Sequence, residues 1–196
     1  MQYYIYSLVC FLLPGTVWLI WNKAMIADKA YKVRHIIWIY IYLFYGYLAV
    51  QEAAGIGTIW DLIAYGKLDN SINLIPFSSE GAMTYILNII MFMPLGFLLP
   101  LIWKNFRNAK KVVLMGFLMS LAIEICQLFN IRTTDIDDLM MNTLGAVIGY
   151  FIWKLTKRLF KNINHKSISL SKLEPIVYLT LAVLGEFLLF NWRIFL

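Results

Sequence analysis

The chain is poor in the residues that carry nucleophilic and metal chemistry: two cysteines and two histidines in 196 residues. Cys10 and Cys126 lie in apolar segments without disulfide or metal spacing, so they read as small core hydrophobes. His35 and His165 fall in basic stretches and are expected to be solvated or interfacial. Neither sits near the polar residues discussed below, so a Ser-His-Asp or Cys-His apparatus is not expected. Charge is scarce as well, at 14% of residues against about a quarter in soluble domains. The first apolar stretch lacks the basic start and small-residue cleavage site of a signal peptide, and it is expected to be retained.

What the chain has in abundance is apolar surface. Hydrophobic residues make up 61% of it, and the mean hydropathy is +0.71. One soluble core cannot hide that much at this length. The expectation is an all-α integral membrane protein, a single polytopic domain over residues 1–196. Six stretches have the roughly 20 residues needed to cross a bilayer: 2–21, 35–54, 83–103, 112–130, 138–155 and 175–195.

Orientation follows from lysine and arginine. The segments 22–34, 104–111 and 154–172 hold fourteen of the seventeen basic residues. They alternate with loops that hold only Lys67 and Arg132. The positive-inside rule then places both termini outside a bacterial plasma membrane, with the acidic loops on the same side. The net charge of +6 is thus a topology signal and an affinity for anionic inner-leaflet lipid, not a sign of nucleic acid.

Polar residues collect toward that outer side. Glu124 and Gln127 sit three apart in an apolar segment, and Asn88 lies just over a turn into the third stretch. Asp135, Asp138 and Asn142 recur at i, i+3 and i+7, one helical face if a helix begins near Asp135. Asp137 would then point away and serve only to cap. Lipid-facing placement of these groups is costly, so one outward-facing polar cavity is the simplest arrangement.

The segment 55–82 is more than a connector. Thr58 with Asp61 resembles a capping box for a short helix ending near Gly66. The apolar members of that helix fit an interfacial position. Asn73-Leu74-Ile75-Pro76-Phe77 is extended before its proline and could form a re-entrant lid over the cavity. Gly145 and Gly149 have the spacing for close helix packing, and Pro94 and Gly96 that for a helix bend.

Five ordered blocks carry a resemblance. They are Asn73 to Phe77, Asn88 to Gly96 with Pro94, Glu124 to Gln127, Arg132 to Asp138, and Asn142 to Gly145 with Gly149. Over residues 73–153 they resemble the VanZ-like proteins. That family takes its name from a protein giving resistance to teicoplanin, a lipoglycopeptide antibiotic with a fatty acyl chain. The resemblance implies a role at the bacterial cell envelope and supplies no reaction.

The residues admit more than one chemistry. Glu124, with Asp135 and Asp138, suits acid/base work on an amphiphile presented from the outer leaflet. Arg132 can hold a phosphate or carboxylate in bidentate fashion, or pair with Glu124 as a structural ion pair. Asn73, Asn88, Gln127 and Asn142 are candidate substrate-binding groups, the last three as donors to a developing oxyanion. The amides serve equally well as interhelical glue. No cofactor is expected; a divalent cation on Glu124, Asp135 and Asp138 is the lesser alternative. The expected partners are membrane lipids and an amphiphilic or lipid-linked small molecule. A binder of a lipid head group or the antibiotic would use the same Arg132 and amides, and a structural or regulatory partner of envelope enzymes is a third reading.

Overall fold

The computed structural model describes residues 2–22, 29–65, 72–78, 81–129, 134–159 and 171–195. Within them the chain forms α1 (Gln2–Asn22), α2 (Lys29–Tyr47), α3 (Ile59–Tyr65), α4 (Ala82–Ile102), α5 (Ala109–Gln127), α6 (Ile136–Leu159) and α7 (Glu174–Leu189). A parallel two-residue pairing of β1 (Ile72–Asn73) with β2 (Thr134–Asp135) is the one sheet among the described residues. The protein is an all-α membrane protein. The stretches 2–22, 32–51 and 82–102 are long and apolar enough to cross a membrane. Each of the six expected stretches falls on a helix, although α7 stops at Leu189, short of the expected 195.

Helix ends follow local chemistry. Asn108 precedes α5 and accepts from the Lys110 N–H at 2.9 Å, satisfying one of the first-turn donors. Pro175 occupies the first turn of α7, where its missing N–H costs nothing. The expected Thr58–Asp61 cap is present: the Asp61 carboxylate accepts from both the N–H and the hydroxyl of Thr58, at 2.6 and 2.8 Å. Asp61 also accepts from Trp192 Nε1 at 2.8 Å, which ties α3 to the end of the chain. α2 runs on into a π-helical stretch, Leu48–Ala54, closed by Gly55 at φ 63°. Such wide turns recur at functional sites.

The centre of the bundle is the α4–α6 seam. A Cβ built at Gly149 would sit 2.0 Å from the Met93 carbonyl oxygen, and one at Gly96 equally close to that of Ala146. The two backbones therefore touch, which only glycine permits. Gly145 and Gly149 act as their spacing implies, while Gly96 is a packing residue in its own right. Phe92, Leu95 and Leu99 are fully buried along the seam, whereas Val9, Leu13, Ile37 and Ile41 turn outward, as lipid contact requires.

α1 and α7 form a second pair. Ser7 donates to Glu186 Oε1 at 2.8 Å, Tyr6 donates to the Leu189 carbonyl at 2.7 Å, and Trp18 meets Tyr178 edge to face. One expectation is corrected here. His35 is neither solvated nor interfacial: it is buried, with Nε2 at 2.8 Å from Glu174 Oε1. The second Glu174 oxygen accepts from Trp103 Nε1 at 2.9 Å. Sequence separation hides this arrangement, since three elements must fold together to make it.

Candidate functional site

Five of the eight expected site residues line one cavity: Asn88, Glu124, Gln127, Asp138 and Asn142. Its volume is about 600 Å³. Helix periodicity accounts for the convergence. Glu124 and Gln127 are one turn apart on α5, Asp138 and Asn142 one turn apart on α6, and both pairs line the cavity together with α4 residues. Asn88 comes from α4, and its amide donates to Asp138 Oδ1. Ser120, one turn before Glu124 on the same face, accepts from Asn142 Nδ2 at 2.9 Å. Asn142 is 2% exposed, and among the described residues its Oδ1 has no partner.

The opposite wall is apolar. Leu48 from the π-helical stretch and Leu87 and Ile90 from α4 line the cavity and also reach the outer surface, at 43%, 57% and 54% exposure. The cavity is therefore polar at its floor and open toward the lipid-facing side between α2 and α4. Tyr45 closes the α2 wall and donates to the Met91 carbonyl at 2.9 Å. Among the described residues that line the cavity, none is Lys, Arg or His.

Asp135 and Asn73 lie beside the cavity rather than on its lining. α6 begins at Ile136, so Asp135 is outside the helix and does not continue the face of Asp138 and Asn142. It caps instead: Oδ1 accepts from the Asp137 N–H at 2.9 Å. Its Oδ2 accepts from Asn73 Nδ2 at 2.9 Å, and its own N–H donates to Glu124 Oε2 at 3.1 Å. The Asn73–Asp135 bond reinforces the β1–β2 register, which pairs the same two residues. Thus Asp135 supports Glu124 from behind.

Asp137 also departs from expectation. It is fully buried and does not merely cap. Its carboxylate accepts from the Phe77 N–H at 2.9 Å and from the Tyr85 hydroxyl at 2.8 Å. Phe77 has φ 61°, a conformation that a bulky residue avoids unless its surroundings impose it. Asp137 supplies that constraint and fastens the loop to the top of α4 and α6. The side chains of Leu74, Ile75 and Phe77 stay exposed and do not line the cavity.

Arg132 lies outside the described residues. Among the described residues, no group of three or more His, Cys, Asp or Glu is placed to hold a metal ion. Sequence reasoning missed Tyr45, Thr84, Tyr85 and Ser120. Two of them carried a signal: Tyr85 is three residues before Asn88, and Ser120 four before Glu124, so each shares a helical face with an expected site residue.

The family model described as VanZ/LLP1 matches residues 5–160. The chain is similar to Protein VanZ of Enterococcus faecium, with 34% identity over 109 residues. That alignment covers 55% of this chain and 65% of the relative, so the match spans less than two thirds of that curated protein. No solved structure matches.

Proposed function

The chain belongs to the VanZ/LLP1 family, and from that premise we propose that it is a cell-envelope protein that recognises an acylated amphiphile from the outer leaflet. The carrying observation is the cavity's shape: Glu124, Asp138 and Asn142 at its floor, and exposed Leu48, Leu87 and Ile90 at its lipid-facing rim. A molecule with a polar head and an acyl tail satisfies both ends without leaving the bilayer. An acylated glycopeptide such as teicoplanin, resistance to which gave the family its name, is an amphiphile of this kind.

The orientation rests on the clustering of basic residues in 22–34, 104–111 and 154–172, which sets the cavity end outward in a bacterial plasma membrane. Cysteines introduced at Lys67 and Arg107 test it with an impermeant thiol reagent. External labelling belongs at position 67; labelling at position 107 would reverse the orientation.

A second reading is acid/base catalysis by Glu124, favoured by its position beside Asp138 in the same cavity. The test is teicoplanin susceptibility of an otherwise sensitive bacterium, with vancomycin, which lacks the acyl chain, as control. Protection is expected from the native protein and not from Glu124→Gln with Asp138→Asn at equal membrane abundance. Full protection by that double variant would sink both readings of the site. Loss of protection with teicoplanin binding intact would favour catalysis, and loss of both would favour recognition.

A further inference from the structure

We infer that the groove between α5 and α7 binds an anionic phospholipid from the leaflet at the basic end of the bundle. Lys111 and Lys172 hold its phosphate, and one acyl chain lies along the groove. The site is separate from the polar cavity and does not depend on what that cavity recognises.

The groove follows from how the helices pair. α5 packs on α6, and α7 packs on α1, which leaves space between α5 and α7. Two hollows of about 390 and 300 Å³ occupy it, and they share Met115, Leu118 and Ile176. Met115 and Met119 are buried at the floor, while Leu118, Ile125 and Leu184 are exposed along the sides. From Lys111 to Ile125 the groove runs about 20 Å along α5, more than half of a hydrocarbon core of about 30 Å. An acyl chain fits such a groove, because walls left bare forfeit their dispersion contacts, and methionine adapts to an irregular partner.

Charge identifies the head group. Lys111, Lys172 and Asn105 line the end of the groove away from Ile125, with no Asp or Glu among the described lining residues there. Lys111 donates to Asn105 Oδ1, and Asn105 Nδ2 donates to the Lys172 carbonyl at 3.1 Å. One neutral amide thus ties the two lysines' segments together and leaves both ammonium charges in place. The balance of charge holds for the whole sequence at this end. Segments 22–34, 104–111 and 154–172 carry fourteen basic residues and one acid, Asp28. Residues 160–170, outside the described residues, bring Lys161 and Lys166 and no acid. Glu174, the acid that opens α7, is fully buried and bonded to His35 and Trp103. Both α5 and α7 begin here, so the positive ends of their dipoles add to the lysines. An anionic head group gains from that field, whereas a zwitterionic one carries its own cation into it.

Photolabelling of the full chain in phosphatidylcholine nanodiscs tests the site. A phosphatidylglycerol probe and a phosphatidylcholine probe carry the same diazirine-bearing acyl chain, and mass spectrometry locates the adducts. The phosphatidylglycerol probe is expected on the peptides carrying Leu118, Ile125 and Leu184, displaceable by unlabelled phosphatidylglycerol and about tenfold tighter than the other probe. Lys111→Gln with Lys172→Gln should remove that preference. Lys154→Gln with Arg158→Gln, which takes two exposed charges from the basic end of α6, should keep it. Equal labelling by the two probes, no displaceable labelling in the groove, or a preference that survives loss of Lys111 and Lys172 would each overturn the inference. So would an equal loss with either pair of substitutions, which would show diffuse attraction in place of a site. Displacement by inorganic phosphate would overturn it as well, by showing a site for a soluble anion.

Discussion

Two carboxylate clusters occupy opposite ends of α4, and they are finished differently. Near Trp103, Glu174 is fully buried and both of its oxygens are matched, one to His35 and one to the indole N–H. Tyr42 packs on Trp103 with ring centroids 4.9 Å apart, sealing that end. About 20 Å away along the helix, near Asn88, the carboxylates of Glu124 and Asp138 face a cavity of about 600 Å³. There, among the described residues, the Asn142 Oδ1 has no donor. The contrast teaches that an acid within a membrane helix is not, by its burial, a functional residue. A closed and satisfied carboxylate holds elements together. A carboxylate bordering open space beside a spare acceptor can receive a ligand.

The sharpest way to break this comparison is to remove Glu174. Glu174→Ala leaves the Trp103 N–H and the buried His35 without their acceptor, at roughly 1–3 kcal/mol for each orphaned group. The double cavity variant, Glu124→Gln with Asp138→Asn, is expected to stay within about 1 kcal/mol of the native protein, because the amides keep the shape and the charge of buried Glu124 and half-buried Asp138 is removed. Unfolding in nanodiscs measures both. Equal losses would mean that the two clusters are built alike and that the cavity end is structural.

Asp137 is the intermediate case, buried like Glu174 but placed at the cavity end. Asp137→Ala removes the acceptor for Phe77 and Tyr85, and hydrogen bonds to a charged group contribute about 1.5–3 kcal/mol. The effect should stay local. Amide exchange should accelerate over residues 72–78, while the α4–α6 seam keeps its protection. Exchange rising equally along α4 and α6 would place Asp137 with Glu174 as a global support.

How far the sequence reaches follows the same division. Hydropathy locates the helices, and the glycine spacing locates the seam, because both are local patterns with a direct physical cause. Helical periodicity pairs Glu124 with Gln127 and Asp138 with Asn142, and the packing of α5 against α6 brings the two pairs together. Asp135 departs from that face because α6 starts one residue after it, and helix starts are poorly marked when three aspartates could each cap. Asp137 is illegible because its role depends on a left-handed Phe77 sixty residues away. The Glu174–His35 pair, 139 residues apart, leaves no local trace, and the basic residues around each make both look solvated.

The smallest effect belongs to Ser120, and it is the most discriminating. Ser120 is fully buried, and its hydroxyl oxygen accepts from Asn142 Nδ2, which turns the Asn142 Oδ1 away from it. Ser120→Ala deletes that acceptor and leaves Asn142 with no fixed orientation. In a sealed site the loss would cost about 1–3 kcal/mol, as for any buried group left unmatched. Beside a cavity large enough for water, a water molecule can take the place of the hydroxyl, so the loss should be near 0.5 kcal/mol. Binding should respond more than stability, because the amide that presents Oδ1 to the ligand is now free to rotate. Protection against teicoplanin is therefore expected to weaken in Ser120→Ala while the unfolding midpoint scarcely moves, with Ser120→Thr retaining both. A stability loss as large as that of Glu174→Ala, with protection unchanged, would show the cavity floor to be as closed as the far end and would remove the distinction between the two clusters.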